Sequence, residues 1–170
     1  MSTFAIKADK FFLPGAAVLG GYLTVTDGTF GHWGEEAPEG VEVRDYSGSW
    51  IAPGMVDTHI HGFYGHATTD NDADGINASS LALAKHGTTS WLPTTFTQSV
   101  DDLAESCAAI AKADDSRGDD FLGARIQGIY LEGPFFTEAH KGAQNPKYLI
   151  DPKYDIYRRW QEAAEGRIVK

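Results

Sequence analysis

The dipeptide Pro53-Gly54 separates two textures of sequence, and that change constrains the fold more than any other feature. Before it, from Phe4 to about Ala52, short β-like pieces such as Tyr22-Leu23-Thr24-Val25 and Val41-Glu42-Val43 are cut by Gly20-Gly21, Asp27-Gly28 and Pro38-Glu39-Gly40. β-Branched and aromatic side chains suit a pleated, half-buried surface, and Gly, Asp and Pro supply the backbone angles of tight turns. An all-β portion is therefore expected over residues 1–53. Beyond Gly54, strand-like and helix-like stretches alternate, the pattern of βαβ units around a parallel sheet. The boundary of two domains, 1–53 and 54–170, falls between these textures.

Within the second portion the spacing predicts a strand from Met55 to His61, closed by Gly62. A helix follows from about Gly75 to His86, with Asp72 and Asp74 at its start, Lys85 and His86 in its last turn and Gly87 just beyond. Acids at the first turn and bases at the last complement the helix dipole, and glycine suits the position after the end. A second strand, Thr88 to Leu92, stops at Pro93. Ser99 opens another helix, with Asp102 placed as the acid of a capping box and Val100, Leu103, Cys107 and Ile110 on one face. A third strand runs from Ala124 to Leu131, apolar enough to be covered on both sides, and Gly133-Pro134 ends it. A last, more polar helix is expected over Tyr154 to Glu165. The sequence carries no internal repeat.

Two function classes are excluded by composition. Fourteen basic against 24 acidic side chains give a formal net charge of −10, and nucleic-acid binding needs a basic face that releases counterions. No apolar run reaches the ~18 residues of a membrane-crossing helix, and Met1 to Lys10 lacks the apolar core of a signal peptide. The single cysteine, Cys107, has no partner for an internal disulfide, so a reducing cytoplasm is expected. Its helical neighbours favour a buried, inert thiol over a reactive one.

His59 and His61 stand two residues apart. On a helix two such side chains diverge, by about 200°. On a strand they share a face, with Cα atoms about 6.5–7 Å apart, and two imidazoles can converge on one cation. The strand-like residues before them favour the second case, and the carboxyl ends of parallel strands are where ligands bind in β/α architectures. The competing reading is a hydrogen-bonded pair in a polar loop. Asp57 lies on the same face and suits either a supporting role at a metal or a salt bridge. Glu132 ends an apolar strand, and a carboxylate there is costly to bury without a cation or donors; otherwise it is an exposed loop acid. Two imidazoles and a carboxylate suit Zn²⁺ or Fe²⁺ better than Mg²⁺ or Ca²⁺. His66, His86 and His140 lack ligand spacing, and Trp33, Trp50, Trp91 and Trp160 read as packing residues.

Three segments in order, Pro53-Gly54-Met55-Val56-Asp57-Thr58-His59-Ile60-His61-Gly62, Gly87-Thr88-Thr89-Ser90-Trp91-Leu92-Pro93-Thr94-Thr95 and Leu131-Glu132-Gly133-Pro134-Phe135, resemble the amidohydrolase superfamily, and in particular its amino-sugar-phosphate deacetylases. The resemblance implies the amino-terminal part of a metal-dependent (β/α)8 (TIM) barrel preceded by part of a small β-sandwich. It implies deacetylation of N-acetylglucosamine 6-phosphate to glucosamine 6-phosphate and acetate in amino-sugar catabolism. By it Glu132 is a metal ligand, His59 and His61 can hold a second ion, and Ala143 and Gln144 contact the amino sugar. Many members have His where Gln144 stands, a departure that bears on sugar selectivity. Members are cytoplasmic and the full-length family is expected to dimerise. A complete barrel takes about 250 residues, and the later histidines and the aspartate that serves as general base and acid have no counterpart here. The chain is therefore expected to hold half a site, with no catalytic residue of its own, and to be inactive alone. A different amidohydrolase, such as a dihydroorotase or an N-acyl amino acid deacylase, and a non-catalytic metal-binding fragment remain as alternatives.

Overall fold

The structure, a computed structural model, describes residues 2–170. The chain forms two compact units that meet in sequence between Pro53 and Gly54.

In the first unit, β1 (Thr3–Leu13), β2 (Ala16–Leu19), β3 (Tyr22–Thr26), β4 (Thr29–Gly34) and β5 (Glu42–Ile51) make one sheet. The long strand β1 organises it. Its residues Lys10–Leu13 pair antiparallel with β2 and its residues Thr3–Lys7 pair antiparallel with β3, so β2 and β3 share one edge. β5 runs parallel to it along the other edge, and β4 pairs with β3 through the turn at Asp27-Gly28. Side chains alternate across the pleat. Ala8, Phe11 and Leu23 are buried on one face, packed by Ile6, Val18 and Ile51. Phe12 and Trp50 lie on the exposed side, where the Lys10 ammonium sits 4.8 Å and 4.9 Å from their rings. Trp50 is 67% exposed and lies against Phe12 at a ring-centroid distance of 5.9 Å, so it packs on the surface and not in a core. The described residues of this unit form this single sheet and not the second layer of a sandwich.

The second unit is α/β. Strand β6 (Met55–Ile60) leads into a short hairpin, β7 (Gly62–Phe63) with β8 (His66–Ala67), then helix α1 (Ala73–Lys85), β9 (Thr88–Pro93), α2 (Val100–Asp115), β10 (Arg125–Ile126) and α3 (Tyr154–Ala163). β6, β9 and β10 pair in parallel in the order β10-β9-β6. Single bridges continue this parallel array, Thr94 with Tyr130 and Ile129 with Ile168, and Leu131 N–H donates to the Lys170 carbonyl at 2.8 Å. Four backbone lines therefore lie side by side, an arc of a β/α architecture without closure into a barrel.

Local chemistry explains the helices. Asp72 caps α1 by accepting from Asp74 N–H. Ser99 caps α2 by accepting from Asp102 N–H at 3.1 Å while its hydroxyl donates to the Asp102 carboxylate at 2.7 Å. On the predicted face of α2, Leu103, Cys107 and Ile110 are fully buried, against a core that includes Trp91, Ile129 and Trp160. Helix α3, polar in sequence, is anchored through Trp160, whose indole N–H donates to the Val100 carbonyl at 2.9 Å.

The third strand differs from expectation. Only Arg125–Ile126 forms a ladder, and the backbone breaks at Gly128, whose φ of 144° side chains rarely adopt. A Cβ there would lie 2.6 Å from the Val169 side chain, so the kink brings the fourth line close. No helix among the described residues is long and apolar enough to cross a membrane.

Candidate metal centre

Strand β6 delivers His59, and His61 follows one residue past its end. Their rings stand edge to face with centroids 5.2 Å apart, the convergence that a shared strand face permits. Glu132 arrives from the third line, directly after Leu131. Its Oε2 lies 3.0 Å from His61 Nε2 and 3.3 Å from His59 Nε2. One ligand atom from each of the three residues falls within 4.8 Å of the others, so the three groups form a potential divalent-metal site. His59 is half exposed at 48 % and Glu132 only 19 %, so the site opens to solvent on the histidine side.

Hydrogen bonding decides which nitrogen of His61 faces the carboxylate. His61 Nδ1 lies 3.1 Å from the Thr94 carbonyl oxygen. A carbonyl only accepts, so Nδ1 carries the hydrogen and Nε2 of the neutral ring presents a lone pair towards Glu132. Two ring nitrogens and a carboxylate oxygen converging in this way repel one another unless a cation or a proton lies between them. The carboxylate oxygen lies 3.0 Å and 3.3 Å from the two ring nitrogens and all three ligand atoms fall within 4.8 Å of one another, so this donor set could hold one divalent cation.

Neighbouring groups hold these side chains. Phe96 stacks on the His61 ring at 3.8 Å with planes 10° apart. The Tyr130 ring packs edge-on against His59 at 5.0 Å. Asp57 lies outside this three-residue cluster, and its Oδ1 accepts the His59 backbone N–H at 3.0 Å. The sharp exit after Glu132 depends on Gly133, with φ 83°, where a Cβ would stand 2.1 Å from the Thr97 hydroxyl oxygen.

Ala143 is exposed and Gln144 is buried in the loop after Glu132. Gln144 Oε1 accepts the Thr97 N–H at 2.8 Å, which ties this loop to the segment following β9. Gln144 thus stands beside Gly133 through Thr97, while neither residue belongs to the His59, His61 and Glu132 cluster.

His86 terminates α1, and His140 pairs with the Thr137 hydroxyl at 2.8 Å. Burial pushes the Cys107 thiol up to about 12. Sequence reasoning missed Thr68, Thr94 and Phe96. Thr94 lies inside one of the recognisable segments but serves through its backbone carbonyl, which no residue pattern advertises; Thr68 carries no sequence signal.

Residues 50–127 match the model of the amidohydrolase family. The chain is 32% identical over 151 residues to N-acetylglucosamine-6-phosphate deacetylase of Bacillus subtilis, covering 87% of this chain and 38% of that protein. It is 34% identical over 110 residues to N-acetylgalactosamine-6-phosphate deacetylase of Escherichia coli, covering 65% of this chain and 28% of that protein. Among solved structures it superposes on a mutant N-acetyl-D-glucosamine-6-phosphate deacetylase of Mycobacterium smegmatis in complex with N-acetyl-D-glucosamine-6-phosphate. That match has a TM-score of 0.81 at 27% identity and covers 99% of this chain and 42% of the other. The chain spans well under half the length of these relatives. By sequence and by structure the chain is homologous over most of its length to the N-acetylglucosamine-6-phosphate deacetylases of the amidohydrolase superfamily.

Proposed function

We propose that this chain contributes His59, His61 and Glu132 as ligands to the metal centre of a deacetylase that acts on N-acetylglucosamine 6-phosphate. The observation that carries the reading is the meeting of both imidazole Nε2 atoms at one oxygen of Glu132. Imidazole and carboxylate donors select Zn²⁺ or Fe²⁺, one ion or two. When bound, such a metal polarises the acetamide carbonyl and makes a water nucleophilic near neutral pH. The chain's own groups then orient and bind. Glu132 offers the oxygen both histidines approach, and the Thr94 carbonyl keeps the His61 Nε2 lone pair available. Ala143 and Gln144 flank the amino sugar. Gln144 Oε1 is already engaged by Thr97 N–H, which leaves its amide N–H groups as the donors for a sugar oxygen. Water oxygen adds to the acyl carbon, the carbon–nitrogen bond breaks, and acetate and glucosamine 6-phosphate leave.

Catalysis belongs to a protein of the relatives' length, in which residues 1–53 form part of a β-sandwich and residues 54–170 the first three β/α units of a closed barrel. Such a protein works in the cytoplasm as a dimer in amino-sugar breakdown. A second reading, N-acetylgalactosamine 6-phosphate as substrate, is favoured by the 34% identity to the Escherichia coli relative. Two measurements test these readings. Elemental analysis of the purified chain should find about one equivalent of zinc or iron, mostly lost in a His59→Ala, His61→Ala double variant; equal content in both removes the metal assignment. Acetate release by the complete gene product, given each epimer, should favour the glucosamine compound. A reversed preference supports the second reading, and turnover of neither rejects both.

A further inference from the structure

We propose that Thr68 is a positioning residue for the metal centre: its hydroxyl holds the Thr94 carbonyl where that carbonyl receives the His61 Nδ1–H. The proposal rests on the reading of His61 as a metal ligand and adds to it a residue outside the ligand motifs, seven positions after His61.

Thr68 and Thr94 are both buried, 1% and 0% exposed. The Thr68 hydroxyl lies within hydrogen-bonding distance of two carbonyl oxygens, that of Thr94 and, at 3.2 Å, that of His61 itself. Its backbone N–H also donates to the His61 carbonyl at 2.9 Å. Thr68 therefore closes the β7–β8 hairpin onto its own starting point and at the same time reaches across to the end of β9. Thr94 is fixed from the other side. Its N–H donates to the Ile60 carbonyl at 3.0 Å, and its hydroxyl oxygen accepts Ile60 N–H and donates to the Leu92 carbonyl, each at 3.0 Å.

The Thr94 carbonyl has two lone pairs, and Thr68 and His61 Nδ1 take one each. Phe96 lies flat on the His61 ring, so the ring cannot tilt and its remaining freedom is rotation and the choice of tautomer. The Nδ1–H contact settles both, since the tautomer with hydrogen on Nε2 cannot ligate through that nitrogen. With the Thr68 hydroxyl gone, the hairpin would lose its side-chain tie to Thr94. Among the described residues, the His61 Nδ1–H would then be the one side-chain donor left on that carbonyl.

Zinc titration and the imidazole N–H signals of ¹⁵N-labelled chain test this in wild type, Thr68→Val and Thr68→Ser. Valine keeps the shape without the hydroxyl; serine keeps the hydroxyl. In wild type a His61 Nδ1–H protected from solvent exchange is expected. Thr68→Val should weaken zinc binding about 10- to 100-fold, the usual loss when a group supporting a metal ligand is removed, and should shorten Nδ1–H protection about tenfold. Thr68→Ser should remain within about threefold of wild type on both readouts. Unchanged affinity and protection in Thr68→Val overturn the proposal. So does a loss in Thr68→Ser as large as that in Thr68→Val, because packing and not the hydroxyl would then be responsible. If Thr68→Val does not fold, the serine variant decides: wild-type values support the role and a tenfold loss rejects it. A wild-type chain that binds no zinc yet shows a protected Nδ1–H, weakened by valine and kept by serine, supports the positioning role while rejecting the metal reading.

Discussion

At the residue scale, one oxygen atom concentrates the chemistry of this chain. Glu132 Oε2 meets both imidazoles, which also stand edge to face against each other. Replacing Glu132 by Gln keeps the shape but removes the negative charge that draws a cation in between the carboxylate and the two imidazoles. Loss of a group that merely supports a ligand costs about 10–100-fold in metal affinity. Glu132→Gln should therefore cost at least about a hundredfold, more than either single histidine variant, in a competitive zinc titration; a smaller loss than in His59→Ala would displace Glu132 from the centre of the site. This part of the site was legible in the sequence, because strand spacing turns His-x-His into a converging pair and an acid at the end of an apolar strand needs a partner. The supports were not legible. Thr94 acts through a backbone carbonyl and Thr68 through a hydroxyl that meets it across 26 residues of chain, and a threonine just past a strand end is ordinary. Gln144 was singled out as a sugar contact, and its carbonyl end turns out to be committed to Thr97.

At the scale of the element, the helices follow from end signals that agree with one another. In α2, Ser99 and Asp102 satisfy each other and an otherwise orphaned N–H of the first turn. Ser99→Ala should destabilise the second unit by about 1 kcal/mol, a fall of about 4 °C in melting temperature for a domain of this size. Ser99→Thr, which retains the hydroxyl, should fall by less than half as much, and equal falls in the two variants would mean that the cap is not the cause. The third strand shows where local signals stop. Ala124 to Leu131 is apolar enough to read as a continuous strand, yet Gly128 takes a left-handed angle so that the backbone can pass Val169. That contact is set by a segment some 40 residues on, and a strand pattern, which records only the alternation of side chains along one segment, does not contain it.

At the scale of the whole molecule, the question is what the parallel array does at its margins. β6 pairs with β9 on one side, and among the described residues nothing pairs with its other side. Met55 and Val56 on it are 59% and 64% exposed, and Val169 at the opposite margin is 61% exposed. A strand edge with free N–H and C=O groups and apolar side chains is a template for pairing with another chain. One feature opposes this: Asp57 Oδ1 takes up the His59 N–H and places a carboxylate on the edge, and inward-turned charge of this kind discourages edge pairing. The guard covers one donor near the metal centre and leaves the start of β6 bare. The change of texture at Pro53-Gly54 foretold a parallel sheet, and a parallel sheet with exposed margins carries this liability whatever its function. The 170-residue chain on its own should therefore associate as its concentration rises. Sedimentation velocity from low to high micromolar should show a weight-average mass that climbs above the monomer. Val56→Lys together with Val169→Lys should return it towards the monomer, because lysine on an edge repels a second copy of itself. Asp57→Asn, which removes the guarding charge, should move it the other way. A chain that stays monomeric throughout, or that associates equally with both lysines in place, would show that the margins are not the contact.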